Sequence, residues 1–170
     1  MYLTTHSGKQ VDPANLRVAE VNILDIAHSL SHQCRFAGHT STFYSVAQHS
    51  LRVAARLPRP HRLVGLLHDA PEAYLTDLPR PLKLALPQYT VLEDKVWATI
   101  AEAFKINVKV PTEVLWADNQ ALKTEWRELM NAPLPDGLQV YSSLPSEAPM
   151  SPEEAKRKFL RLFYELTDQE

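Results

Sequence analysis

The stretch Leu66-Leu67-His68-Asp69-Ala70-Pro71-Glu72-Ala73-Tyr74-Leu75-Thr76-Asp77-Leu78-Pro79 decides how the rest of the chain is read. Its centre is the doublet His68–Asp69, with Glu72 and Asp77 three and eight residues after the aspartate. The doublet closes an apolar run of Leu63, Val64, Leu66 and Leu67, so both polar side chains leave a helix that faces a core. Burying an imidazole beside a carboxylate is costly unless each finds a partner, and one divalent cation satisfies both. The alternative is a structural histidine followed by a helix-capping aspartate, with Pro71 at a helix-compatible position. The sequence on either side bears on that choice.

Working outward, the neighbouring segments read as helices punctuated by proline. Upstream, His61 to Leu67 leads into the central stretch, and Pro58 ends a helix running from about Thr42 to Leu57. An earlier helix begins near Asn22, with Ile23, Ile26, Ala27 and Leu30 at three- and four-residue spacing. The loop from Arg35 to Thr40 turns at Gly38, and residues 1–21 form a polar N-terminal arm in which Tyr2–Thr5 is a short strand or simply extended. Downstream, Pro79-Arg80-Pro81 breaks the chain. Amphipathic helices are expected over about Tyr89–Phe104 and Pro111–Met130. A Pro-rich loop over about 131–151 carries Pro133, Pro135, Gly137, Pro145 and Pro149. Ser151-Pro152-Glu153-Glu154 opens a last helix over about 152–168, striped by Phe159, Leu162, Phe163 and Leu166. The expectation is an all-α, compact helical bundle in one domain spanning 1–170.

Bulk properties exclude several classes. A net charge of −2 gives no broad basic face, so an extended nucleic-acid surface is not expected. Apolar runs are too short for a membrane span, the first residues lack a signal-peptide plan, and the expectation is a cytoplasmic protein without membrane contact. A single cysteine, Cys34, rules out an internal disulfide and reads as a core thiol. Four glycines against thirteen prolines argue against a Gly-rich phosphate loop.

Further polar residues lie on otherwise apolar helix faces. His49 sits among Val46, Ala47, Ser50 and Val53, and Asp118 follows Leu115-Trp116-Ala117. With His68 and Asp69 they make two imidazoles and two carboxylates from three helices, a mixed N/O set suited to a first-row divalent metal better than to calcium.

In these residues the chain resembles the HD-domain metal-dependent phosphohydrolases, most closely the small bacterial 5′-deoxynucleotidases and the phage-type dNTP phosphohydrolases of that superfamily. Three segments carry the resemblance: Ser45-Val46-Ala47-Gln48-His49-Ser50, His68 through Pro81, and Ala117-Asp118. The resemblance implies an HD-type bundle and one divalent metal ion (Co, Mn, Zn, Fe or Mg) held by His49, His68, Asp69 and Asp118. It implies that Glu72 orients or deprotonates a metal-activated water, and that Asp77 aligns the nucleophile and touches the sugar. Read without it, Glu72 is a first-turn acid and Asp77 a turn residue. Arg35 and Phe36 match an arginine–aromatic pair that contacts phosphate and nucleoside. The aromatic is usually Trp in the deoxynucleotidases, so Phe36 leaves sugar and base preference open.

Lys83 is a second phosphate candidate or a solvated lysine. His39 contacts substrate or shapes its turn. His28 and His32, four residues apart, read as packing groups or as supports behind the site. The implied reaction removes the 5′-phosphate of (deoxy)nucleoside monophosphates, a small-molecule nucleotide substrate, and the related enzymes imply a homodimer. Triphosphate release from a dNTP, a cyclic-nucleotide or signalling phosphodiesterase, and a catalytically silent binding domain are the alternatives.

Overall fold

The computed structural model describes residues 2–135, 139 and 147–167. The chain enters as a small hairpin in which β1 (Leu3–Thr4) pairs antiparallel with β2 (Gln10–Val11). Gly8 supplies the positive φ of 83° that its tight turn requires. Two hydrogen bonds fasten the hairpin to the bundle: the Ser7 amide donates to Asp25 Oδ1 at 2.7 Å and the Ser7 hydroxyl to Oδ2 at 2.8 Å.

Helix α1 (Ile23–His32) starts where the Asn22 side chain accepts from the Leu24 amide. Helix α2 (Val46–Ala55) is the axis of the fold, packed against α1, α3 (Arg59–Leu67), α7 (Thr112–Leu129) and α8 (Pro152–Thr167). The periodicity expected this helix from Thr42, but Ser45 is its N-cap, accepting from the Gln48 amide at 3.1 Å. The residues before it are extended: the Arg35 amide donates to Tyr44 O and the Val46 amide to Gln33 O. Neighbours on four sides bury α2 almost all round rather than along one stripe, leaving only Leu51 and Ala55 partly in reach of solvent.

After α3 the central stretch folds into the short helix α4 (Glu72–Leu75), then α5 (Arg80–Ala85). Pro79-Arg80-Pro81 therefore opens a helix instead of only breaking the chain, because proline without its N–H is tolerated in a first turn. Helix α6 (Pro87–Ala103) lies beside α5 and the 3-10 turns of the N-terminal arm. Helix α8 begins as its acid-rich first turn suggests, with Ser151 Oγ accepting from the Glu154 amide. Of the Pro-rich loop, Pro133, Pro135 and Pro149 are outside helices and strands, whereas Gly137 and Pro145 lie outside the described residues. Cys34 is exposed, which corrects its reading as a core thiol; the residue pairs edge-on with Ser45 at the mouth of a loop and has no helix face to bury.

The architecture is an all-α, compact helical bundle. One apolar cluster runs from Val11 and Ile26 through Val46, Val53 and Leu67 to Phe159 and Phe163. Phe159 is fully buried where α8 closes over the bundle. Phe159→Ala is expected to cost about 3–5 kcal/mol, measurable as a lower midpoint in urea unfolding with an unchanged slope.

Candidate metal centre

Two rings face each other across the bundle. His49 comes from the enclosed middle of α2, and His68 is the last residue of the helical run that α3 begins. Each ring is tied down by its Nδ1: His49 Nδ1 lies 2.8 Å from Glu125 Oε1, and His68 Nδ1 lies 2.8 Å from the Gly65 carbonyl oxygen. Both partners are acceptors, so each Nδ1 carries a proton and Nε2 is the nitrogen left to face a metal. Both Nε2 atoms are buried, and among the described residues only carboxylates approach them. They aim at one spot, where Asp118 Oδ1 lies 3.0 Å from His49 Nε2 and 3.9 Å from His68 Nε2. His49, His68 and Asp118 form a group that can hold a metal ion. Imidazoles fixed from behind, with their Nε2 atoms converging beside a carboxylate, suit a first-row transition metal.

Asp69 stands beside this group rather than within it. Its Oδ1 is 3.3 Å from His68 Nε2 and its Oδ2 is 3.5 Å from His49 Nε2, while Arg35 Nη1 approaches the same Oδ2 at 3.6 Å. The Asp118 carboxylate is 40% exposed, so the group opens on one side. That side is a cavity of about 440 Å³ whose walls include Arg35, Phe36, Asp69, Glu72, Asp77, Lys83 and Asp118. A larger groove of about 550 Å³ beside α8 is lined by none of the candidate metal- or substrate-binding residues, so chemistry rather than size marks the site.

Helix α4 and the turn behind it deliver the two remaining acids. Glu72 is 3% exposed; its Oε1 accepts from Lys83 Nζ at 3.1 Å, and its Oε2 has no partner. Burial, with Asp69 and Asp77 nearby, pushes the Glu72 carboxyl well above its ordinary value against the opposing charges of Lys83 and Arg35. Asp77 is likewise raised, mainly by burial. It is aimed by Thr76, a β-branched residue held at φ 85°, and by Gln33, whose Oε1 accepts from the Asp77 amide while its Nε2 donates to Glu72 O. Lys83 is not a free phosphate contact, because Nζ bridges Glu72 and Glu93, the latter at 2.7 Å. Arg35 leaves a strained turn in which Phe36 and Ala37 have φ of 55° and 51°. The Phe36 ring meets Trp126 edge-on at 5.9 Å.

His39 is exposed and does not line the cavity; its amide closes the Arg35 turn onto Phe36 O. His28 and His32 lie elsewhere, stacked with His6 beside the hairpin, where the ring centroids of His6 and His28 are 3.6 Å apart. Glu125, Gln33 and Trp126 escaped the sequence reading. For Glu125 a signal existed: it stands seven residues after Asp118, on the same face of α7.

Fold and site together define an all-α protein with a candidate metal centre at the floor of a mixed-charge cavity. No family model matches the sequence. The chain is 38% identical over 174 residues to the uncharacterized protein YfdR of Escherichia coli K12, covering 98% of this chain and 96% of that one. It is 35% identical over 118 residues to an uncharacterized protein of Rhodobacter capsulatus, covering 64% of this chain and 60% of the relative. The chain belongs to the same family as YfdR.

Protons and metal compete at His49. Burial and the Arg35 charge oppose its protonation, but Glu125 and Asp118 outweigh them and lift the metal-free imidazole to about 10. Below that value a metal must displace the Nε2 proton, so affinity falls as pH falls. Calorimetric titration of Co(II) into metal-stripped protein between pH 6 and 8 is expected to show proton release, with the dissociation constant rising about tenfold per unit of acidification.

Proposed function

We propose that this protein is a metal-dependent phosphohydrolase that removes the 5′-phosphate of (deoxy)nucleoside monophosphates. The observation that carries the proposal is the convergence of two buried Nε2 atoms and the Asp118 carboxylate on a cavity that also holds Arg35 and the partnerless Glu72 Oε2. The residues present fit a divalent cation: His49, His68 and Asp118 would hold it, and Asp69, whose carboxylate oxygens lie 3.3 and 3.5 Å from the two Nε2 atoms, would supply a fourth donor. A metal bound there supplies Lewis-acid stabilisation of phosphoryl oxygens and lowers the pKa of water towards ~7.

The remaining work falls to side chains. Arg35, kept charged between Glu125 and Asp69, presents its guanidinium as a clamp for phosphate oxygens. Glu72 accepts the proton of the attacking water at Oε2. Its raised pKa makes it a better proton acceptor than an exposed carboxylate. Lys83 holds Oε1 of the same group, which leaves Oε2 as the oxygen available to the water. Asp77 bounds the space on the far side, and Phe36 offers an apolar wall to the nucleoside.

The test is phosphate release from metal-stripped protein resupplied with Co, Mn, Zn, Fe or Mg, over a panel of dNMPs, NMPs, dNTPs and cyclic nucleotides. Orthophosphate and nucleoside from monophosphates support the proposal. Triphosphate with nucleoside from dNTPs, or ring opening of cyclic nucleotides, transfers the site to a different hydrolase, and no turnover with metal bound removes the substrate class.

Glu72→Gln is expected to lower turnover ~100-fold or more with metal uptake unchanged, read by parallel rate and metal-content measurements. Because Glu72 is raised, its basic form appears only above the ordinary carboxylate range. With metal kept saturating at every pH, the acid limb of the pH–rate profile is therefore expected above ~4.3, and it should disappear in the Gln variant.

A further inference from the structure

We infer that Glu125 is a positioning residue that sets the tautomer of His49 and anchors Arg35, coupling the metal centre to the anion-binding side of the cavity. The inference rests on the metal reading of the site. Glu125 is fully buried, and three groups from three separate segments converge on its carboxylate. His49 Nδ1 lies 2.8 Å from Oε1, the Tyr44 hydroxyl donates to the same oxygen at 3.0 Å, and Arg35 Nε lies 3.2 Å from Oε2. Asp118 and Glu125 stand two turns apart on one face of α7 and reach opposite nitrogens of one ring. Asp118 Oδ1 is on the Nε2 side at 3.0 Å and Glu125 on the Nδ1 side. One helix thus determines both what His49 presents and how it is held.

Stability alone is a poor reason for this arrangement. A buried ion cluster costs desolvation that an apolar residue of similar volume would avoid. What the carboxylate supplies is orientation: as an acceptor it keeps the proton on Nδ1 and leaves the Nε2 lone pair for a cation. Glu125 Oε2, in turn, keeps the Arg35 side chain extended past the metal group towards the cavity, where its Nη1 approaches Asp69.

The experiment titrates Co(II) into metal-stripped wild-type protein, Glu125→Gln, Glu125→Ala and Tyr44→Phe, and records the imidazole nitrogens of 15N-histidine-labelled wild type with metal bound. Glu125→Gln keeps an acceptor of the same shape without charge, and Glu125→Ala removes both. The expected result is Co(II) affinity lowered ~10- to 100-fold in Glu125→Ala and less in Glu125→Gln. Tyr44→Phe, which spares the His49 bond, should stay within about threefold of wild type, and the wild-type spectrum should place the His49 proton on Nδ1 and the metal shift on Nε2. Inorganic phosphate is then titrated into the Co(II)-loaded proteins, and weaker binding in Glu125→Ala is expected because Arg35 has lost its anchor. Folded Glu125 variants that bind Co(II) as wild type does overturn the inference. A wild-type spectrum with the metal shift on Nδ1 overturns it even if neither variant folds. Wild-type protein that takes up no Co(II) overturns the metal reading itself.

Discussion

Helix α2 is enclosed by α1, α3, α7 and α8, so most of the polar groups it carries are cut off from water and depend on partners inside the protein. Gln48 is satisfied by Ala148 O and the Met150 amide, which pins the start of the last helical segment. Arg52 reaches Glu128, and His49 reaches Glu125. The His49–Glu125 contact is the one on which the site depends. It commits one ring nitrogen, leaves the other to face a metal, and draws Tyr44 and Arg35 to the same carboxylate.

Around that contact both signs of charge are crowded together. Asp69, Glu72, Asp77 and Asp118 line the cavity with Arg35, Arg80, Lys83 and Lys123, and Glu125 lies behind Arg35. The environment divides these acids into two kinds. Glu125, although burial pushes it up, is held at about 2 by His49 and Arg35, and Asp118 is lowered by His49 and His68. Glu72 and Asp77 lie farther from the imidazoles and are raised by burial. Carboxylates separated in this way suit different work, the low pair holding cations and the high pair exchanging protons.

Both flanking turns are strained where they present side chains to the cavity. Phe36 and Ala37 occupy left-handed backbone just ahead of Gly38, and Thr76 has a positive φ despite its branched side chain. Each is held by bonds from outside the turn: Ser45 and Tyr44 pair with Cys34 and Arg35, while the Tyr89 hydroxyl donates to Thr76 O. Such conformations persist only where surrounding structure over-determines them, and here they aim Arg35 and Asp77.

The all-α class and most helices were legible because apolar spacing and proline punctuation are local properties. So were His49, His68 and Asp118, the three that meet in one group, as polar residues on faces whose neighbours are apolar. The start of α2 was misplaced because Thr42–Tyr44 carry an apolar pattern compatible with a helix, and only pairing with Cys34 and Arg35 makes them extended. Gln33 and Trp126 stayed hidden because nothing local marks their partners, and Glu125 was marked only by its spacing from Asp118. Lys83 and His39 share one chemical description as basic residues near a phosphate candidate, yet one is bound by two glutamates and the other faces solvent. The sequence by itself determined which residues must be buried and which of them are polar. Only the tertiary structure decided which polar atoms meet, because that depends on distances of a few ångströms between segments far apart in the chain, and no local pattern encodes them.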